Sequence, residues 1–121
     1  MKTQATWLPD RRDVIWIDFN PKAGGEIGDV HPLLVLSPAA FNERTGLVIG
    51  LPMTHAERHA DNPFAVIWRG TDNSSSYIVA NQPKSFDWRA RRAKPHPCQR
   101  APARVFQEAC EVLQQILALP A

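Results

Sequence analysis

Asp13-Val14-Ile15-Trp16-Ile17-Asp18-Phe19 alternates polar and apolar residues and is rich in β-branched and aromatic side chains. That patterning predicts a half-buried β-strand. The next apolar stretch, Pro32-Leu33-Leu34-Val35-Leu36, runs without polar interruption, as a buried central strand does. Segments 47–52, 64–68 and 76–81 read as three more short strands, with Thr45-Gly46 and a turn at 70–75 between them. Residues 20–30, with Pro21, Gly24, Gly25 and Gly28, form a loop flexible enough to close over a ligand. Ser37-Pro38 stops the second strand, 38–44 has room for a helical turn, and 54–63 is polar and loop-like. The one long helical pattern lies at 103–119. Val105, Phe106, Ala109, Val112, Leu113, Ile116 and Leu117 share a face there, and Pro102 is acceptable at the first turn. Short strands at this spacing predict a mostly β fold, a small barrel or sandwich with a C-terminal α-helix, and not a βαβ sheet.

The length of 121 residues suits one domain with one core. Hydrophobic residues at 44% and charged residues at 21% exclude a disordered chain. A net charge of +2 says little about a nucleic-acid partner, but the distribution says more. Between Trp88 and Gln107 stand Arg89, Arg91, Arg92, Lys94, Arg100 and Arg104 with no acid among them. Such a strip attracts phosphate, or it is simply a solvated basic loop; composition alone leaves both readings open. Cys98 and Cys110 form no CxxC pair and read as free thiols in a reducing compartment. No apolar run approaches the ~20 residues that span a bilayer. The first seven residues lack a signal-peptide core, so the cytoplasm is the expected location and no membrane the expected partner.

Several chemistries have no motif here. There is no Walker-type phosphate loop, no GxSxG, no HExxH and no paired-cysteine zinc pattern. His55 and His59 have a spacing that could share a metal on a helix, but their surroundings favour a loop and no third ligand is evident. No metal and no cofactor are expected. Trp16 and Phe19 read as core or as base-stacking surface, with core favoured for Trp16. Trp88, beside the basic strip, is equally consistent with stacking on a base.

Asp13 to Pro21, then Gly24, Glu26 and His31-Pro32-Leu33-Leu34-Val35-Leu36-Ser37-Pro38, resemble the opening of the MazF/PemK (Kid) toxin family. The likeness continues through Phe41-Asn42, Thr45-Gly46, Leu51-Pro52-Met53-Thr54 and Asn62-Pro63-Phe64-Ala65-Val66. It ends on Asn81-Gln82-Pro83-Lys84-Ser85-Phe86-Asp87-Trp88-Arg89-Ala90-Arg91. No block is diagnostic alone; the ordered set covers residues 11–119. The resemblance implies a five-to-seven-stranded SH3-like small barrel with a C-terminal helix, forming a homodimer. It also implies a toxin endoribonuclease that cleaves single-stranded RNA, chiefly mRNA, sequence-specifically and without metal. Attack by the substrate's own 2′-hydroxyl would leave 2′,3′-cyclic phosphate and 5′-hydroxyl ends. A cognate antitoxin would neutralise it by laying a flexible acidic segment in the RNA groove, and would bind DNA together with it. The basic strip suits the RNA and the acidic segment equally.

The reaction needs a base for the 2′-hydroxyl proton, an acid for the departing 5′-oxygen, and donors for the charge on phosphorus. By resemblance the catalytic candidates are His31, Thr54 and Glu26, and the RNA-binding candidates are Asn81, Gln82, Lys84, Trp88, Arg89 and Arg91. Two positions depart from the family pattern. His31 stands where an arginine is usual, and Asn81 where many members have aspartate, as in the ChpB-like branch. Asn81 cannot exchange a proton near neutrality, whereas an imidazole, titrating near ~6.5, can act as acid or base. His31 is therefore expected to carry proton transfer. Thr54 would donate to a non-bridging phosphate oxygen, Arg89 or Lys84 would supply positive charge, and Glu26 would orient His31 or contact a base. RNA specificity is expected from loops 20–30 and 55–62. The alternatives are a non-enzymatic toxin of the gyrase-poison type, as in related CcdB-type toxins, or a catalytically impaired RNA- or antitoxin-binding module on the same fold.

Overall fold

The computed structural model describes residues 7–70 and 74–120. The centre of the turn expected at 70–75, the extreme N-terminus and the last residue of the C-terminal tail lie outside the described residues. Seven strands are seen: β1 (Asp13–Asp18), β2 (Val30–Val35), β3 (Leu47–Thr54), β4 (Ala65–Arg69), β5 (Ser75–Val79), β6 (Lys84–Asp87) and β7 (Lys94–Arg100). Helix α1 (Ala39–Thr45) joins β2 to β3, a 3₁₀ turn (Glu57–Asp61) precedes β4, and α2 (Ala103–Leu117) follows β7.

The strands form a curled antiparallel sheet in the order β4-β5-β3-β2-β1-β7, with β6 also on β3. β3 makes the curl possible. Its first half pairs with β6 (Leu47 opposite Asp87, Gly50 opposite Lys84), and its last residues pair with β5 (Met53 opposite Ile78, Thr54 opposite Tyr77). Its other edge pairs with β2, Leu33 opposite Pro52. At Gly50 the strands approach so closely that a Cβ would collide with the Leu34 carbonyl oxygen and lie 2.8 Å from Leu33 Cγ. Only glycine fits there.

The sheet separates two apolar clusters, and the alternation of side chains assigns residues to each. Val14, Leu34, Leu51, Met53, Val66 and Ile78 pack on one face, where Val105 and Ala109 of α2 cover them. Ile15, Ile17, Leu33, Val35, Val48 and Phe86 pack on the other. The expected half-buried first strand therefore contributes to both clusters, because loops and α1 cover the face that a simple sheet would leave to water. Pro32–Leu36 is apolar throughout for the same reason.

Two strands, β6 and β7, fall where the residue pattern predicts none, and bring the count to the upper end of the five to seven strands that the resemblance implies. In the rest of the strand assignments, ends moved by at most two residues; β3, for example, continues through Thr54. No helix among the described residues is long and apolar enough to cross a membrane. Cys98 and Cys110 are free thiols.

Candidate active site

β2 begins at Val30, β3 ends at Thr54, and the two run antiparallel, so the sheet brings His31 and Thr54 to the same end of the fold. Both line one cavity of about 520 Å³, with Trp16, Trp68, His55 and His96 among the other wall residues. A concave, partly apolar site with a few convergent polar groups is where ligands bind.

His31 is half-buried, edge-on to Phe19 with ring centroids 6.1 Å apart. Its Nδ1 is buried without a hydrogen-bond partner among the described residues, which leaves Nε2 as the nitrogen able to work on a ligand. Thr54 is 7% exposed, and its Oγ1 accepts a hydrogen bond from the Ala56 N–H at 3.1 Å. Because that bond uses an oxygen lone pair, the hydroxyl proton remains to be donated.

Glu26 does not orient His31. Its carboxylate accepts the Ala23 N–H at 3.0 Å and pairs with Lys84 Nζ at 3.4 Å. The backbone N–H first, and Lys84 after it, hold the Glu26 carboxyl below the usual value. Gln82 works beside this pair: its Oε1 accepts from Ile27 N–H at 3.0 Å, and its Nε2 donates to the Gly25 carbonyl at 3.4 Å. Asn81 accepts from Asn62 Nδ2 at 3.0 Å. Residues 81–84 thus fasten the loop between β1 and β2 and the turn before β4.

Trp88 is a core residue, and the expectation that it stacks on a base is corrected. Its ring is 4% exposed, packed edge-on against Trp7, and Nε1 donates to the Asn42 carbonyl at 2.9 Å. The Arg89 guanidinium lies 4.1 Å over the ring, so the residue facing solvent is Arg89. Arg91 is half-buried and spans back to the first strand, donating to the carbonyls of Asp18 (3.0 Å) and Asn20 (2.6 Å) above the ring of Phe86. Arg100 bonds Asp13 at 3.2 Å and lies 3.8 Å from Asp10, so the strip that has no acid in sequence meets acids in space.

The His55/His59 pair is split. His55 Nδ1 meets the Ser75 carbonyl at 2.8 Å, while His59 is buried against Asn62 and Arg58. Trp16 is half-buried and faces the ring of His96 at 4.7 Å between centroids, so it lines the cavity and is not enclosed in the core. Phe19 is buried, against Phe86. His96 was not singled out in the sequence. It lies 41 positions from His55, and no local spacing marks it as a site residue.

A family profile described as PemK-like, MazF-like toxin of type II toxin-antitoxin system matches residues 10–117. The endoribonuclease toxin MazF of Escherichia coli (strain K12) is 38% identical over 87 residues, 72% of this chain and 76% of that protein. The crystal structure of MazF (Form-I) from Deinococcus radiodurans is similar with a TM-score of 0.84 and 37% identity, over 94% of this chain and 100% of that one. A MazE-MazF structure (Form-II) from the same organism reaches 0.77 at 33% identity, over 95% and 100%.

Proposed function

We propose, from the premise that this chain belongs to the PemK-like, MazF-like toxin family, how its cavity performs the family's reaction. The chain is a toxin endoribonuclease of a toxin–antitoxin system. Its substrate is single-stranded RNA, chiefly mRNA, cut at particular sequences in the cytoplasm. The 2′-hydroxyl attacks the adjacent phosphorus without metal, leaving 2′,3′-cyclic phosphate and 5′-hydroxyl ends. The observation that carries this reading is the meeting of His31 and Thr54 on one cavity wall.

His31 performs one of the two proton transfers through Nε2. Thr54, with its free hydroxyl proton, stabilises charge on a non-bridging phosphate oxygen. Arg89 gives positive charge at the surface. Lys84 and Gln82 act by holding the Glu26 loop against the sheet, and Asn81 replaces a proton-exchanging group with an amide that only hydrogen-bonds.

An antitoxin is the protein partner, as in the MazE-MazF structure from D. radiodurans. Its acidic segment would occupy the same groove as RNA, along Arg89, Arg92 and Lys94. The active particle is a homodimer; exposed Val30, Phe64 and Ile67, each more than two-fifths accessible, are apolar surface available for a second copy.

End-group analysis of a long unstructured transcript cut in EDTA tests the reading. Cyclic phosphate and 5′-hydroxyl ends at recurring sequences are expected. Cleavage that stops with EDTA, or 5′-phosphate ends, contradicts it. Gyrase arrest without RNA cleavage would place the chain with the non-enzymatic toxins.

A further inference from the structure

Three histidines, His31, His55 and His96, line the cavity, and backbone groups fix the proton on two of them. His55 Nδ1 lies 2.8 Å from the Ser75 carbonyl oxygen. A carbonyl only accepts, so Nδ1 carries the hydrogen and the neutral ring presents Nε2 as a lone pair. His96 is held in the opposite sense. Its Nδ1 accepts the Cys98 N–H at 3.1 Å, so a neutral His96 keeps its proton on Nε2 and is a donor. Burial, and after it the neighbouring His55, push the His96 imidazole below its ordinary value, and the Cys98 N–H occupies the lone pair of its neutral form. His96 is therefore a poor base. His55 is exposed and follows Thr54 directly at the end of β3.

Cleavage by an internal hydroxyl needs two proton transfers, one from the 2′-oxygen and one to the 5′-oxygen. His31 supplies one group. Asn81 cannot supply the other, and the Glu26 carboxylate is engaged by Lys84 and the Ala23 N–H. We infer that His55 is the second catalytic residue of this chain, the general base that takes the 2′-hydroxyl proton at Nε2. The inference rests on the nuclease reading above.

In the step, the proton of O2′ passes to His55 Nε2 as the O2′–P bond forms. The P–O5′ bond breaks, and protonated His31 gives its Nε2 proton to O5′. The products are the cyclic phosphate and the free 5′-hydroxyl, and solvent then resets both rings. The Ser75 carbonyl stabilises the imidazolium formed on His55, the part played in hydrolase triads by the group that orients the base. The remaining titratable groups on the wall are His96 and Cys98.

His55→Asn tests this, because its amide retains an N–H for the Ser75 carbonyl while the titrating nitrogen is lost. Initial rates of RNA cleavage in EDTA are measured from about pH 5 to 9, where imidazoles titrate, for wild type, His55→Asn, His55→Ala and His31→Gln. His55→Asn is expected to lose at least about 10²-fold at the optimum, along with the limb of the profile in which activity rises with pH. His31→Gln is expected to fall by more than about tenfold and to lose the opposite limb. His55→Ala should recover activity with added imidazole. A fall under about threefold, or a larger one with the wild-type profile and no recovery by imidazole, overturns the role of His55. Wild-type protein that leaves no cyclic phosphate overturns the nuclease reading instead, before any substitution is considered.

Discussion

Trp88 and Arg89 are neighbours that stack on one another, yet the fold asks opposite things of them. Trp88 fills the cluster around Val48 and Phe86, and its Nε1 satisfies a carbonyl of Asn42. Asn42, itself fully buried, donates through Nδ2 to the carbonyls of Pro9 (2.8 Å) and Ser37 (3.0 Å) and accepts from the Ser37 hydroxyl. Trp88→Ala would leave a large void and remove one of the two hydrogen bonds that the Asn42 carbonyl accepts, the other coming from the Gly46 N–H at 3.1 Å. A loss of about 3–5 kcal/mol in stability is expected, measurable by urea unfolding. Arg89→Ala should leave the unfolding midpoint nearly unchanged and weaken RNA binding. Equal loss of binding with wild-type stability for Trp88→Ala would return that ring to the RNA surface. The sequence could not separate the two because an aromatic beside a basic strip has the same pattern in a core and on a stacking platform. Family likeness points to His31 and Thr54, and both line one cavity. The opposing tautomers of His55 and His96 depend on Ser75 and on a local Cys98 contact, which no spacing reveals.

β1 and α2 were readable because burial imposes a period on them, and β2, β3, β4 and β5 because burial makes them short apolar runs bounded by turn residues. β6 and β7 escape that logic for different reasons. β6 has four residues, of which only Phe86 is buried, too short for alternation to show. β7 contains Pro95 and Pro97 and buries no residue. It survives as a strand because it lies at the sheet edge, pairing among the described residues with β1 alone, where proline's missing N–H costs least. The loop between β1 and β2 is similarly held from afar, by Arg91, Gln82 and the Glu26–Lys84 pair. Arg91→Ala should speed hydrogen exchange throughout 20–30 while barely shifting global unfolding; unchanged protection there would show that Arg91 is not the clamp. The pH dependence has a definite sign. Glu26 is depressed below its ordinary value of 4.5, so its anchoring is complete above that value and is lost as pH falls through the lower folded one. The Ala23 amide resonance should therefore titrate with a midpoint below 4.5, and Glu26→Gln should abolish that titration.

At the scale of the whole molecule, net charge and basic strip describe different things. The chain is only +2, and two of the six cations of the strip already have work inside the fold. Arg100 neutralises Asp13 and Asp10, and Arg91 caps backbone carbonyls. Arg89, Arg92, Lys94 and Arg104 are exposed, with no ion pair seen among the described residues. These are the charges that can release counterions when a polyanion docks. For single-stranded nucleic acid, log affinity falls with log salt by about 0.7 per phosphate neutralised. Four contacts per chain give a slope of about −3, against about −4 for all six cations of the strip. Lys94→Ala should reduce the slope by about 0.7, while Arg100→Ala should leave it unchanged and lower stability slightly. The same salt series with an acidic peptide in place of RNA should respond to Lys94→Ala as well, because both ligands meet the same exposed charges. A slope that responds to Arg100 and not to Lys94 would place the polyanion on the other side of β7, away from the cavity of His31 and Thr54.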